Sequence, residues 1–165
     1  MKTLILNRHA KSDWDHPNLT DFERPLNDRG LKDAPFMAKK FAERGIKVDF
    51  LYSSPANRAK TTADFFINEL ALSNGQYSFE REIYGSGISF IRTTLPTLSS
   101  DIDTVMFFGH NPDFTSLVTY YSGQRIGNLP TCGIAIIKFD ISSWSLVNDT
   151  NGVLDVFDFP KNYKD

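Results

Sequence analysis

Apolar residues in this chain follow two patterns: short solid runs, and longer stripes at intervals of three and four. The solid runs are Leu4-Ile5-Leu6, Val48 to Tyr52, Thr104 to Phe108 and Gly133 to Phe139. Runs this short, closed by polar or turn-forming residues, predict buried strands. Helical stripes lie between them. Leu31, Ala34, Met37, Ala38 and Phe41 mark a helix over Leu31 to Arg44, with Gly45 as its stop. Ala59, Thr62, Ala63, Phe66 and Leu70 mark a second, in which Ser54 caps and Pro55 takes the first helical position. Ile88, Ile91, Leu95 and Leu98 predict a third, bent or ended near Pro96. A fourth begins at Asn111-Pro112-Asp113 and runs to about Tyr121, stopped by Gly123. Ile83-Tyr84 is a candidate minor strand, and Trp144 to Val147 and Val153 to Phe159 read as an antiparallel finish. The alternation predicts one α/β domain over residues 1–165, a three-layer αβα sandwich on a mainly parallel sheet.

Three of the predicted strands stop at similar chemistry. The first gives way to Arg8 and His9, the second to a helix start carrying Arg58, and the third to His110. If these strands are parallel neighbours, all four side chains gather at one edge of the sheet, where open α/β sheets bind ligands. Two arginines there can hold a tetrahedral oxyanion through charge-assisted hydrogen bonds, and the helix starts at Ser54 and Asn111 add N–H donors. Taken singly, each residue has a plain structural reading; their joint position at strand ends points to a phosphate or sulfate pocket. The stretch Lys11 to Asn27 is 17 residues long with little periodicity. Connections of that length are often functional. Within it Lys11, Ser12 and Arg24 are candidates for the pocket mouth, His16 reads as a loop residue, and Trp14 and Phe22 either cover the site or staple the loop to the core.

Composition narrows the partners. The chain has 41% apolar and 23% charged residues and a net charge of -2, ordinary for a globular protein. Its charges are mixed, so neither nucleic acid nor an anionic membrane is an expected partner. The lone Cys132 fits a reducing compartment and reads as a small buried hydrophobe near a strand start. No signal-like core follows Met1, and no run nears the roughly 20 apolar residues that span a bilayer. The expected location is cytoplasmic.

The residues also carry a family resemblance. Leu6-Asn7-Arg8-His9-Ala10-Lys11-Ser12 resembles the RHG/RHA signature of the histidine phosphatase superfamily, whose fold is phosphoglycerate mutase-like. Arg24-Pro25-Leu26-Asn27-Asp28-Arg29-Gly30 is similar to its R-P-L-T-x-x-G stretch, and Ser53 to Ala63 to its S-P-x-x-R-A-x-x-T-A helix start. Gly109-His110-Asn111-Pro112 resembles the second-histidine motif, and Leu129-Pro130-Thr131-Cys132-Gly133 a segment before a late strand in SixA-like members. The compact length points to the SixA-like phosphohistidine phosphatase branch. Asn7 departs from the family pattern.

The resemblance implies a metal-independent phosphatase without a cofactor, acting on a phosphorylated protein or a small phosphorylated metabolite. His9 would be the nucleophile, neutral and oriented through its other ring nitrogen, and would become a transient phosphohistidine. Arg8, Arg58 and a protonated His110 would bind the phosphoryl oxygens. Many relatives protonate an alcohol leaving group with an acidic residue, for which Glu82 is the nearest candidate here. The lack of a secure acid fits a nitrogen leaving group and argues against mutase activity. Two other readings stay open: a phosphate-binding module with little turnover, and a metal hydrolase using His9, His16 and His110. The latter lacks HxH or HExxH spacing, and its arginines would repel a cation.

Overall fold

The computed structural model describes residues 1–164. Its strands are β1 (Lys2–Arg8), β2 (Phe50–Ser53), β3 (Tyr77–Phe79), β4 (Thr104–Gly109), β5 (Ile134–Phe139) and β6 (Gly152–Asp158). Four helices join them: α1 (Asp28–Ala42), α2 (Asn57–Glu69), α3 (Arg81–Thr94) and α4 (Asp113–Ser122). The strands form one sheet in the order β3-β2-β4-β1-β5-β6. Pairing is parallel from β3 through β1 and antiparallel from β1 through β6. An α/β sandwich with a mostly parallel sheet is what the strand–helix alternation predicts.

Side-chain alternation along the central strands sorts the core into two layers. Leu4 and Leu6 of β1 join Val105 and Phe107 of β4 beneath α3 and α4. Ile5, between them in sequence, points the other way, with Met106 and Phe108, to pack under α1 and α2. All seven are fully buried. Asn7 is buried as well, and its Nδ2 donates to the Phe107 carbonyl at 3.2 Å.

Several elements differ from the sequence expectation. Ile83-Tyr84 lies in α3, and the minor strand is β3, six residues earlier. Trp144–Leu146 is a 3₁₀ turn, held by burial of Trp144 and by its indole N–H, which donates to the Ile102 carbonyl at 2.6 Å. Leu31 is 47% exposed, so the buried stripe of α1 runs through Ala34, Met37, Ala38 and Phe41. Pro55 does not open α2, which begins at Asn57 after Ala56, and α4 begins at Asp113 rather than Pro112.

The loop between β1 and α1 is pinned rather than loose. Ser12 bridges Leu26 in antiparallel fashion, Asp13 N–H donates to the Pro25 carbonyl at 2.8 Å, and Asn27 N–H to that of Lys11 at 3.0 Å. Asn27 then caps α1, its Oδ1 accepting from Gly30 N–H at 2.9 Å. Gly30 is required by this closure, since a Cβ there would collide with the Lys11 carbonyl oxygen. The far side of the loop sits on the start of α2, where Asn57 N–H donates to the Phe22 carbonyl at 2.9 Å.

Candidate active site

Strand register brings the site together. Arg8 pairs with Gly109 across β1 and β4, and Ser53 pairs with Phe108 across β2 and β4. The three parallel strands therefore end level, and His9, Ser54 and His110 each stand one residue beyond an end. Gly109 allows the last of these to turn, because a Cβ there would lie 2.5 Å from the Phe114 ring. A cleft of about 250 Å³ opens at this edge. Arg8, His9, Arg58 and His110 line it together. Lys11, Ser12, Trp14 and Arg24 complete the wall from the pinned loop, with Asn111 and Thr131 opposite.

His9 is 7% exposed, and its Nδ1 lies 2.7 Å from the Ala10 carbonyl. A carbonyl only accepts, so the proton is on Nδ1 and Nε2 carries the lone pair. Burial pushes the His9 pKa down to about 3, aided by His110, Arg58 and Arg8, while the Ala10 hydrogen bond pulls the other way. Ala10 is fixed in turn: its N–H donates to Thr62 Oγ1 at 3.0 Å, and that hydroxyl donates to the Arg58 carbonyl at 2.7 Å.

His110 sits with its ring centroid 5.3 Å from that of His9. Its Nε2 is 2.8 Å from Ser54 Oγ. The buried Ser54 hydroxyl accepts from Ala56 N–H at 3.2 Å and has no acceptor other than Nε2 among the described residues, so its proton goes to Nε2 and the His110 proton rests on Nδ1. Burial lowers the His110 pKa to about 4, with Arg58, Arg8 and Arg24 adding to the effect and Asp21 opposing it. Burial thus favours the neutral ring, against the expectation of a protonated His110. Ser54 is likewise a histidine partner as much as a helix-start residue.

The three arginines share one arrangement. Arg8 donates through Nη1 to the Leu129 carbonyl at 3.1 Å. Arg24 is tied by Nη1 to Ser12 Oγ and by Nη2 to Asp21 Oδ1 at 2.9 Å. Arg58 reaches the Asp21 carbonyl at 2.6 Å and Asp21 Oδ2 at 3.0 Å. In each case terminal nitrogens anchor the guanidinium, while the buried Nε has no hydrogen-bond partner among the described residues. Buried His110 Nδ1 has none either. Buried donors without acceptors cost about 1–3 kcal/mol each. None of the ten residues lining the cleft is an Asp or Glu.

Sequence reasoning missed Asp21. It belongs to the aperiodic loop, yet it holds Arg24 and Arg58 and accepts from Tyr84 Oη at 2.8 Å. Hydrogen bonds from Arg24, Tyr84 and Arg58 keep its carboxyl well below the usual range, against the effect of burial. Arg24, taken from sequence as a mouth residue, is 9% exposed, and its guanidinium lies 3.6 Å from the Trp14 ring centroid. Trp14 is thus at the rim, whereas Phe22 staples the loop, stacking edge-on against Tyr84 at 5.1 Å.

Glu82 is not brought to the cleft; it is exposed on the first turn of α3. The exposed loop holds His16, whose Nε2 is 3.2 Å from Asp13 Oδ2, also outside the cleft. Among the described residues no cluster of three His, Cys, Asp or Glu side chains is placed to hold a metal ion. No helix among them is long and apolar enough to cross a membrane. Cys132 is buried just before β5, its thiol pKa pushed up by burial.

The chain resembles known proteins in sequence and in fold. Residues 4–82 match the sequence profile of the histidine phosphatase superfamily (branch 1). An uncharacterized chloroplastic protein of Arabidopsis thaliana is 29% identical over 151 residues, covering 87% of this chain and 69% of that protein. A 2,3-bisphosphoglycerate-dependent phosphoglycerate mutase of Bartonella tribocorum is 36% identical over 75 residues, covering 44% of this chain and only 36% of the mutase. Among solved structures, the protein histidine phosphatase SixA complexed with tungstate superposes with a TM-score of 0.83 at 22% identity, covering 98% of this chain and 99% of that one. Residues 4–82, which span both the Arg8-His9 turn and the Arg58 helix, are thus similar to the histidine phosphatase superfamily (branch 1), and the chain as a whole shares its fold with the SixA structure.

Proposed function

We propose that this protein is a phosphohydrolase that works without a metal, through a covalent phosphohistidine on His9, and that its substrate is a phosphohistidine. One observation carries the reading. His9, with its Nδ1 committed to the Ala10 carbonyl, lines one small cleft together with Arg8, Arg24, Arg58 and His110, and among the described residues no Asp or Glu lines it. In the first step His9 Nε2 attacks phosphorus in line; the Nε2–P bond forms as the bond from phosphorus to the leaving group breaks. In the second, water attacks phosphorus, the Nε2–P bond breaks, and inorganic phosphate leaves. Both transition states spread negative charge over the equatorial oxygens, where the guanidinium donors stabilise it.

The leaving group is argued from what lines the cleft. An alkoxide needs a proton as it departs, and the lining offers no carboxylic acid. Asp21, just behind it, is held ionised by two arginines and a tyrosine. An imidazole leaving group is a far weaker base than an alkoxide, and it tolerates this lack. The tungstate carried by the SixA structure, a tetrahedral oxyanion, is consistent with the same reading. A second reading, a phosphatase of a small phosphorylated metabolite, draws on the likeness to phosphoglycerate mutases.

The test is phosphate release, with chelator present, from a phosphohistidine-bearing carrier protein and from an aryl phosphate, for wild type and His9→Ala. Turnover of the carrier that disappears in the variant supports the proposal. Activity confined to the aryl ester favours the small-molecule reading. No turnover of either leaves a phosphate-binding module.

A further inference from the structure

The cleft does not end at its own rim. Arg8, Lys11 and Thr131 also form one wall of a larger groove of about 470 Å³, which runs toward the carboxyl-terminal segment. Among the described residues that groove gathers five cations, Arg8, Lys11, Arg29, Lys161 and Lys164, against the single carboxylate of Asp33. The chain as a whole has 18 basic and 20 acidic residues, so this is a strong local excess. Asp33 does not neutralise it. Its buried carboxylate lies 3.8 Å from Arg29 Nε and 3.3 Å from Lys164 Nζ, so one negative charge is shared between two positive ones.

The groove is positioned as well as charged. Arg29 Nη2 donates to Thr131 Oγ1 at 3.3 Å, tying the start of α1 to the segment that forms the common wall. A neighbouring surface that shares Lys11 and Arg29 with the groove carries three carboxylates, Asp13, Asp15 and Asp28. The cationic excess is therefore on the groove side, five cations to one carboxylate among the described residues, against two to three on the neighbouring surface.

We propose that this groove is a second anion subsite, which binds a carboxylate or second phosphate of the same molecule whose phosphoryl group sits at His9. The proposal rests on the phosphoryl-transfer reading of the cleft and deepens it: the substrate is at least doubly anionic. The second anion has two sources, an acidic side chain flanking a phosphohistidine or a further acidic group on a small metabolite. Both present the same chemistry to Arg29, Lys161 and Lys164.

Binding without turnover tests it. Alkylphosphonates of graded length, ending in either a carboxylate or the uncharged amide, are titrated into the full chain by calorimetry. At the best length the wild type binds the carboxylate about tenfold more tightly than the amide, and the preference shrinks as salt is raised. Lys161→Gln/Lys164→Gln, at two exposed positions, brings the ratio to within about twofold. Lys47→Gln, an exposed lysine outside the groove, keeps the wild-type ratio. Equal affinity at every length, or a preference that survives the double substitution, overturns the subsite. If neither phosphonate binds and no aryl phosphate is turned over, the phosphoryl reading itself fails and the subsite falls with it. Hydrolysis of phosphohistidine peptides with acidic or neutral flanks then assigns the source: an acidic preference lost in the double variant identifies a protein substrate. No such preference, with the carboxylate effect intact, identifies a small molecule.

Discussion

Ser54→Ala is the perturbation that separates the proposed role of His110 from a merely structural one. Ser54 is fully buried, and its hydroxyl makes two bonds, accepting from Ala56 N–H at 3.2 Å and donating to His110 Nε2 at 2.8 Å. The change removes one oxygen and adds nothing. It leaves a buried imidazole nitrogen and a backbone N–H near the start of α2 without partners, at a cost of about 1–3 kcal/mol each. For a chain of this length each kcal/mol lowers Tm by roughly 2 to 4 °C. The catalytic effect is distinct. Ser54 holds the His110 proton on Nδ1; without it the proton divides between the two nitrogens, and the donor facing the phosphoryl group is present only part of the time. A loss of about 1.4 kcal/mol in transition-state stabilisation lowers kcat about tenfold, with little change in KM. Steady-state kinetics on an aryl phosphate give the rate, and nitrogen NMR of the His110 ring gives the tautomer. A Ser54→Ala protein with full kcat and an unchanged His110 tautomer would refute the reasoning.

Three further outcomes follow from the same geometry. His9 and His110 have pKa values pushed down to about 3 and about 4. Between pH 6.5 and 4 the unfolded chain therefore binds protons that the folded one does not, so stability is full above about pH 6.5 and declines on acidification, by up to about 1.4 kcal/mol per pH unit for each histidine. Urea unfolding across that window checks this, and His9→Ala should flatten part of the slope. Arg24→Gln removes a partnerless Nε–H donor and a charge, and is expected to lower kcat/KM by roughly a hundredfold; unchanged kinetics would reduce Arg24 to a loop staple on Trp14. Gly30→Ala drives a Cβ into the Lys11 carbonyl oxygen, costing about 1–3 kcal/mol and loosening the loop that carries Asp21 and Arg24, seen as faster amide exchange there.

Much of this was legible in the sequence because one rule governs both the strands and the site. A buried parallel strand is a solid apolar run, and the residue just past it stands at the sheet edge, so Leu4-Ile5-Leu6 and Thr104 to Phe108 located His9 and His110 together with the core. Arg58 followed from its place after β2. The direction of β5 was not legible, since a solid run looks alike whether its neighbour is parallel or antiparallel. Asp21 was hidden for a different reason. It sits in an aperiodic loop, and only the loop's closure through Ser12, Leu26 and Asn57 carries its carboxylate to Arg58. The downward pull on the His110 pKa comes from burial among three arginines, a tertiary property with no local signature. Glu82 was chosen by order along the chain; α3 turns it to solvent.

The most direct measurement is the chemistry of the trapped intermediate. The protein is quenched within a turnover of a labelled phosphoryl donor, and the modified residue is identified in alkali, where phosphohistidine survives. Because the His9 Nδ1 proton is committed to the Ala10 carbonyl at 2.7 Å, the account predicts an acid-labile phosphate on Nε2 of His9, absent from His9→Ala. Label on Nδ1, on another residue, or in an acid-stable ester would contradict it.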